Sequence, residues 1–116
     1  MTTDPERKPT LREKLLKLQQ GYADKVPGRL EDIQGMWQCY LEDGSEDILD
    51  QVTSQIHKMA GTAATYGFAD LGLRASQAEE TLLDFKESNA PERNVDTANN
   101  VVKNLTTFKI SHKVTM

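Results

Sequence analysis

The chain has 116 residues, 37% of them apolar, with 14 lysines and arginines against 18 acidic residues, a formal net charge of -4 and a pI near 5.1. That length suits one domain with a single core and no covalent staples, and the acidic balance argues against a nucleic-acid footprint, which needs a clustered basic face. No apolar run approaches the roughly 20 residues that span a bilayer, and the start Met1-Thr2-Thr3-Asp4-Pro5-Glu6 lacks the order of a signal peptide. The single cysteine, Cys39, forms no internal disulfide and suits a reducing compartment, so a cytoplasmic protein is expected, with Cys39 as a packing residue.

Residues 1–9 are polar, with two prolines, and read as a disordered lead-in to a domain over residues 10–116. Thr10 and Glu13 form a capping box, and Leu11, Leu15 and Leu18 repeat on one face, which places a first helix at about Leu11 to Asp24. Val26, before Pro27, is biased away from the helical region, so a turn or kink is expected there. A second helix, about Gly28 to Glu42, turns Leu30, Ile33, Trp37, Tyr40 and Leu41 inward, and Asp43-Gly44 ends it. Ser45 caps a third, with Glu46 and Asp47 in the favourable first turn. Its stripe is Ile48, Val52, Ile56, Met59 and Ala63, and Gly67 follows its end at Tyr66.

Phe68, Leu71, Ala75, Ala78, Leu82 and Phe85 carry a fourth helix that closes around Glu87. Ser88-Asn89-Ala90-Pro91 breaks the chain, and Asn89 with Glu92 is a cap pair for a fifth, whose stripe is Val95, Ala98, Val101, Val102, Leu105 and Phe108. No stretch shows sustained strand alternation. The expected architecture is all-α, an antiparallel up-and-down four-helix bundle with an additional N-terminal helix packed as a lid or extension.

The stretch Ile56 to Gly67, I-H-K-M-A-G-T-A-A-T-Y-G, sets one histidine among small residues. His57 lies about 100° around the helix from Ile56, beside the apolar stripe. Its neighbours one turn away are Thr53, Ser54, Ala60 and Gly61, with Ala64 a second turn on. A glycine inside a helix costs about 1 kcal/mol relative to alanine. Two readings fit this pattern. Either the small residues clear a surface on which another macromolecule lies against the imidazole, or they let a neighbouring helix pack closely and His57 is an ordinary boundary residue. His112, between Ser111 and Lys113, reads as a surface residue.

The string His57-Lys58-Met59-Ala60-Gly61, then Gly67 ten positions after the histidine, then Phe68, Leu71, Ala75 and Glu79, resembles the histidine phosphotransfer (HPt) domain, and the length and helix order extend the resemblance over nearly the whole chain. One position departs from the pattern: many members carry lysine three residues after the histidine, where this chain has Ala60. The resemblance implies His57 as the phosphoacceptor and Glu79 as the carboxylate that takes Nδ1–H and leaves Nε2 facing solvent. It implies Lys58 as the cation offered to the phosphoryl oxygens, and Ala60, Gly61 and Ala64 as the floor on which a partner docks.

The activity so implied is that of a carrier in a two-component multistep phosphorelay, moving a phosphoryl group between aspartates of response-regulator receiver domains fed by a (hybrid) sensor histidine kinase. The chain would be a monomer with no cofactor of its own, Mg²⁺ belonging to the receiver, and with no nucleic-acid or membrane partner. It has no glycine-rich phosphate loop, Mg²⁺-binding aspartate cluster or nucleotide signature, so ATP is not its direct phosphoryl donor. Two other classes stay open. One is a non-catalytic helical adaptor that binds receiver domains without carrying phosphate, for which Ala60 is the support. The other is a metal- or ligand-binding bundle, for which two distant histidines and no Glu-x-x-His pair make a poor donor set.

Overall fold

A computed structural model describes residues 10–88 and 93–109, so the lead-in over residues 1–9, the Asn89 and Glu92 cap pair and His112 lie outside the described residues. The elements are α1 (Leu11–Asp43), α2 (Glu46–Thr65), α3 (Ala69–Glu87) and α4 (Val95–Thr106). Consecutive helices pack antiparallel and α4 returns to α1, which makes an all-α four-helix bundle. Among the described residues no helix is long and apolar enough to cross a membrane.

The five expected helices are four, because the chain does not break at Pro27. Residues 11–43 form one helix with the proline inside it, and Val26 is helical. An interior proline removes one backbone hydrogen bond and crowds the preceding turn, at a cost of about 3 kcal/mol. Pro27 is exposed, while Tyr22, Ala23, Val26, Leu30 and Ile33 on either side of it are buried as one stripe. Burying a large apolar side chain yields roughly 1.5–3 kcal/mol, so a break that turned half of this stripe away from the core would cost more than the proline does. The N-terminal part of α1 is therefore an extension, not a separate lid: Leu11, Leu15 and Leu18 are 84%, 38% and 55% exposed.

The ends of the helices follow local rules. Thr10 Oγ1 accepts from the Glu13 amide at 3.1 Å, and Ser45 Oγ accepts from the Ile48 amide at 3.4 Å. Asn94 caps α4, its Oδ1 accepting from the Thr97 amide at 3.1 Å. After α2 the Phe68 amide donates to Ala63 O at 2.8 Å and the Gly67 amide to Ala64 O at 3.2 Å, the paired bonds of a Schellman ending. Gly67 has φ +88°, where an L side chain is strained, and a Cβ there would lie 3.0 Å from Gln19 Nε2.

The core is built from the expected stripes except at Val95, which opens α4 at its first residue and is 41% exposed. Ile33, Trp37, Val52, Ile56, Met59, Leu71, Ala75, Ala78, Leu82, Ala98, Val102 and Leu105 are all buried, joined by Leu49 and Thr53. Thr53 satisfies its hydroxyl on Leu49 O at 2.8 Å. Trp37 donates to Asn99 Oδ1 at 2.7 Å and so ties α1 to α4. Cys39, expected in the packing, is exposed on α1.

Candidate functional site

Ile56 and Met59 turn fully into the core, and His57, one step around α2 from Ile56, emerges at the edge of the buried stripe. On α3 Ala78 is fully buried and Glu79 emerges in the same way. The helices run antiparallel, and the two edge positions meet: His57 Nδ1 is hydrogen-bonded to Glu79 Oε2. The imidazole is 72% exposed and the carboxylate 23% exposed. An ionised carboxylate only accepts, so the proton of this bond sits on Nδ1, and a neutral ring then keeps its lone pair on Nε2.

α2 and α3 come close at one glycine of α3. Gly72 lies seven residues before Glu79, on the same side of α3, and is buried. A Cβ built on it would sit 3.4 Å from Ala64 N, 3.6 Å from Ala60 O and 3.7 Å from Ala63 Cβ. At Gly72 α3 thus lies against the backbone of α2 one to two turns beyond His57, with room for a methyl group and nothing larger. Close packing is one of the two readings the sequence allows for Gly61, and there a Cβ would meet nothing within 4 Å. Gly61 and Ala64 are exposed and Ala60 is half-buried at the seam beside Gly72. Close packing accounts for Ala60 and Ala63 and leaves Gly61 without a packing reason.

The seam continues with a second pair. Asp50 and Lys86 lie seven residues before His57 and seven after Glu79, and Lys86 Nζ is 2.6 Å from Asp50 Oδ1. Antiparallel helices in register at one edge pair are in register again two turns on, about 10 Å away. Of the three lysines and arginines on α2 and α3, Lys86 is thus held away from the imidazole, and Arg74 bonds Asn104 O and Asp70. Lys58 is the third; it is exposed, adjoins His57 in the chain and forms no ion pair among the described residues. Gln77 and Glu80 are exposed on α3. No group of three metal-ligating side chains occurs among the described residues.

Comparison of the chain with protein-family models, with curated proteins and with solved structures finds no match in any of the three.

Proposed function

We propose that the chain is a histidine-containing phosphoryl carrier of the HPt kind, relaying a phosphoryl group between the aspartates of receiver domains in a multistep phosphorelay. The observation that carries this reading is the pair His57–Glu79: a largely exposed imidazole whose Nδ1 is engaged by a mostly buried carboxylate, so that Nε2 faces solvent as the nucleophile. In the transfer, the Nε2 lone pair forms an N–P bond as the P–O bond of a partner's aspartyl phosphate breaks, and the partner's carboxylate leaves with that electron pair. The Nδ1 proton stays in place, and Glu79 offsets the positive charge that develops on the ring. The reverse step returns the group to a second aspartate. Lys58 offers its ammonium to the phosphoryl oxygens in a loose transition state, and the Mg²⁺ of the reaction is the partner's. Open space over Gly61 and the exposure of Ala64 support docking on that part of α2.

The deciding experiment incubates the full chain with a phosphorylated receiver domain and Mg²⁺, with His57→Gln alongside. Label that is lost in acid, survives alkali and is absent from the variant is the expected result. A folded chain that binds a receiver and takes no label from any of several would instead be the adaptor.

A further inference from the structure

α1 outlasts the helices it packs against. Gln19 Nε2 donates to Tyr66 O, at the end of α2, at 2.9 Å. Leu11 to Leu18 therefore project beyond that level by about 12 Å of helix. Leu18 and Leu15 lie four and seven residues before the buried Tyr22, and Leu11 four before Leu15. They prolong the core-facing stripe of α1 past the level of Tyr66, where the described residues leave Leu11 84%, Leu18 55% and Leu15 38% exposed. Burial in the bundle explains the stripe from Tyr22 onward and does not explain these three leucines.

The charge of the projection is also unlike the rest of the molecule. Arg12, Lys14 and Lys17 stand there against the single carboxylate of Glu13, in a chain whose net charge is -4. Two copies meeting through these projections would bring like charges together. An acidic surface with an apolar edge is the complementary occupant. On α2, the positions His57, Gly61 and Ala64 recur at steps of four and three and are all exposed, leading toward the same end of the bundle. His57 is nine residues from Tyr66, about 13 Å along the axis, so both features fall within the breadth of one small domain.

We infer that the Leu11–Leu18 projection is a second docking element for the receiver domain that exchanges phosphoryl with His57, its leucines and cations meeting an acidic, apolar-edged patch on that partner. This inference rests on the carrier reading. The projection sets how much receiver is needed, not how fast the phosphoryl group moves once the partner is bound.

The test uses the full chain and the receiver domain that labels His57. Leu15→Ser/Leu18→Ser and Lys14→Gln/Lys17→Gln are compared with the wild type, folding being checked by circular dichroism. Both alter exposed side chains, so both variants should fold. The expected result is a half-saturating receiver concentration raised about tenfold by the leucine pair, at an unchanged saturating rate. The lysine pair flattens its dependence on salt. An unchanged half-saturating concentration in both variants overturns the docking element while wild-type labelling keeps the carrier reading intact. Absence of wild-type labelling from every receiver overturns both. Cosedimentation with vesicles of 30% anionic lipid, abolished in the leucine variant while receiver saturation stays the same, reassigns the projection to a membrane surface and overturns the inference.

Discussion

The Nδ1 of His57 is bonded to Glu79 across the α2–α3 seam, and the exposed partner of this pair is the imidazole, not the carboxylate. An ordinary surface ion pair leaves both ends in water and is worth little. Here the carboxylate is anchored beside the fully buried Ala78, and the ring is held through Nδ1 while no side chain among the described residues bonds Nε2.

From that asymmetry, Glu79→Ala should leave the bundle folded and slow labelling of His57 by about 10- to 100-fold, the scale on which a metal-bound imidazole responds to losing the carboxylate that orients it. Glu79→Gln keeps an acceptor for Nδ1–H and should lose less. Nitrogen NMR of the ring at neutral pH separates this from a structural effect. The wild type is expected in the Nδ1–H form and Glu79→Ala in a mixture of tautomers; the same tautomer in both would remove Glu79 from its positioning role.

Gly72 and Gly61 should respond oppositely to side chains. At Gly72 an alanine Cβ reaches ordinary contact with α2, so Gly72→Ala should fold normally. Gly72→Val drives added methyls into Ala60, Ala63 and Ala64 and should cost about 2 kcal/mol, slowing labelling as Glu79 is carried away from His57. At Gly61 no neighbour stands within 4 Å of a Cβ. Gly61→Ala should therefore raise stability by about 1 kcal/mol. Gly61→Gln should leave stability unharmed and raise the receiver concentration needed for transfer. Thermal melts alongside labelling at low and saturating receiver decide both cases.

How much of this could be read from the sequence depended on range. The stripes of α2, α3 and α4 repeat over many turns, so spacing alone turns Ile56, Ala78 and Val102 inward, and the Ser45 cap and Gly67 ending rest on rules that span a few residues. Pro27 is where the local rule misled: the bias it exerts on Val26 is outweighed by burial on both sides of it, a tertiary effect that no window of a few residues contains. Asp50 and Lys86 could not be paired before the register of α2 against α3 was known, although once His57 faces Glu79 the seven-residue offsets require it. Gly72 hid for the same reason, since a glycine in a helix looks alike whether it faces solvent or another backbone.

Pro27 itself makes a testable position. Replacing it with alanine restores an amide donor and removes the ring from the helix interior, a gain of up to about 3 kcal/mol that is partly offset by the freer unfolded chain. Pro27→Ala should melt higher than the wild type by roughly 2 kcal/mol of stability on that balance. A lower melting temperature would mean that the proline shapes α1 in a way the packing of Tyr22 to Ile33 requires.

Arg93, in the connection before α4, was invisible to any helical pattern, because its partners come from the other three helices and from Ser88. It bonds Glu46 twice, at 2.7 and 2.9 Å, the Tyr40 hydroxyl at 3.2 Å, and the carbonyls of Lys86 and Ser88 at 3.0 Å, and lies over the Phe85 ring at 5.1 Å. The hydrogen bond from Arg93 holds the Glu46 carboxyl below its ordinary value of 4.5, and Glu46 in return raises the guanidinium further above its own. The unfolded chain thus takes up a proton at Glu46 before the folded chain does. The stabilisation is complete above about pH 4.5 and disappears as pH falls through the lower folded value. Melting temperatures of the wild type and Glu46→Gln should therefore differ at pH 7 and converge in acid; parallel curves would deny the pair any part in acid stability. Arg93→Ala also strips two carbonyls and a tyrosine hydroxyl of their donor, and should lower the melting temperature by on the order of 5–10 °C at pH 7. That loss should exceed the one seen for Glu46→Gln, and it should persist at pH values where the Glu46 contribution has vanished.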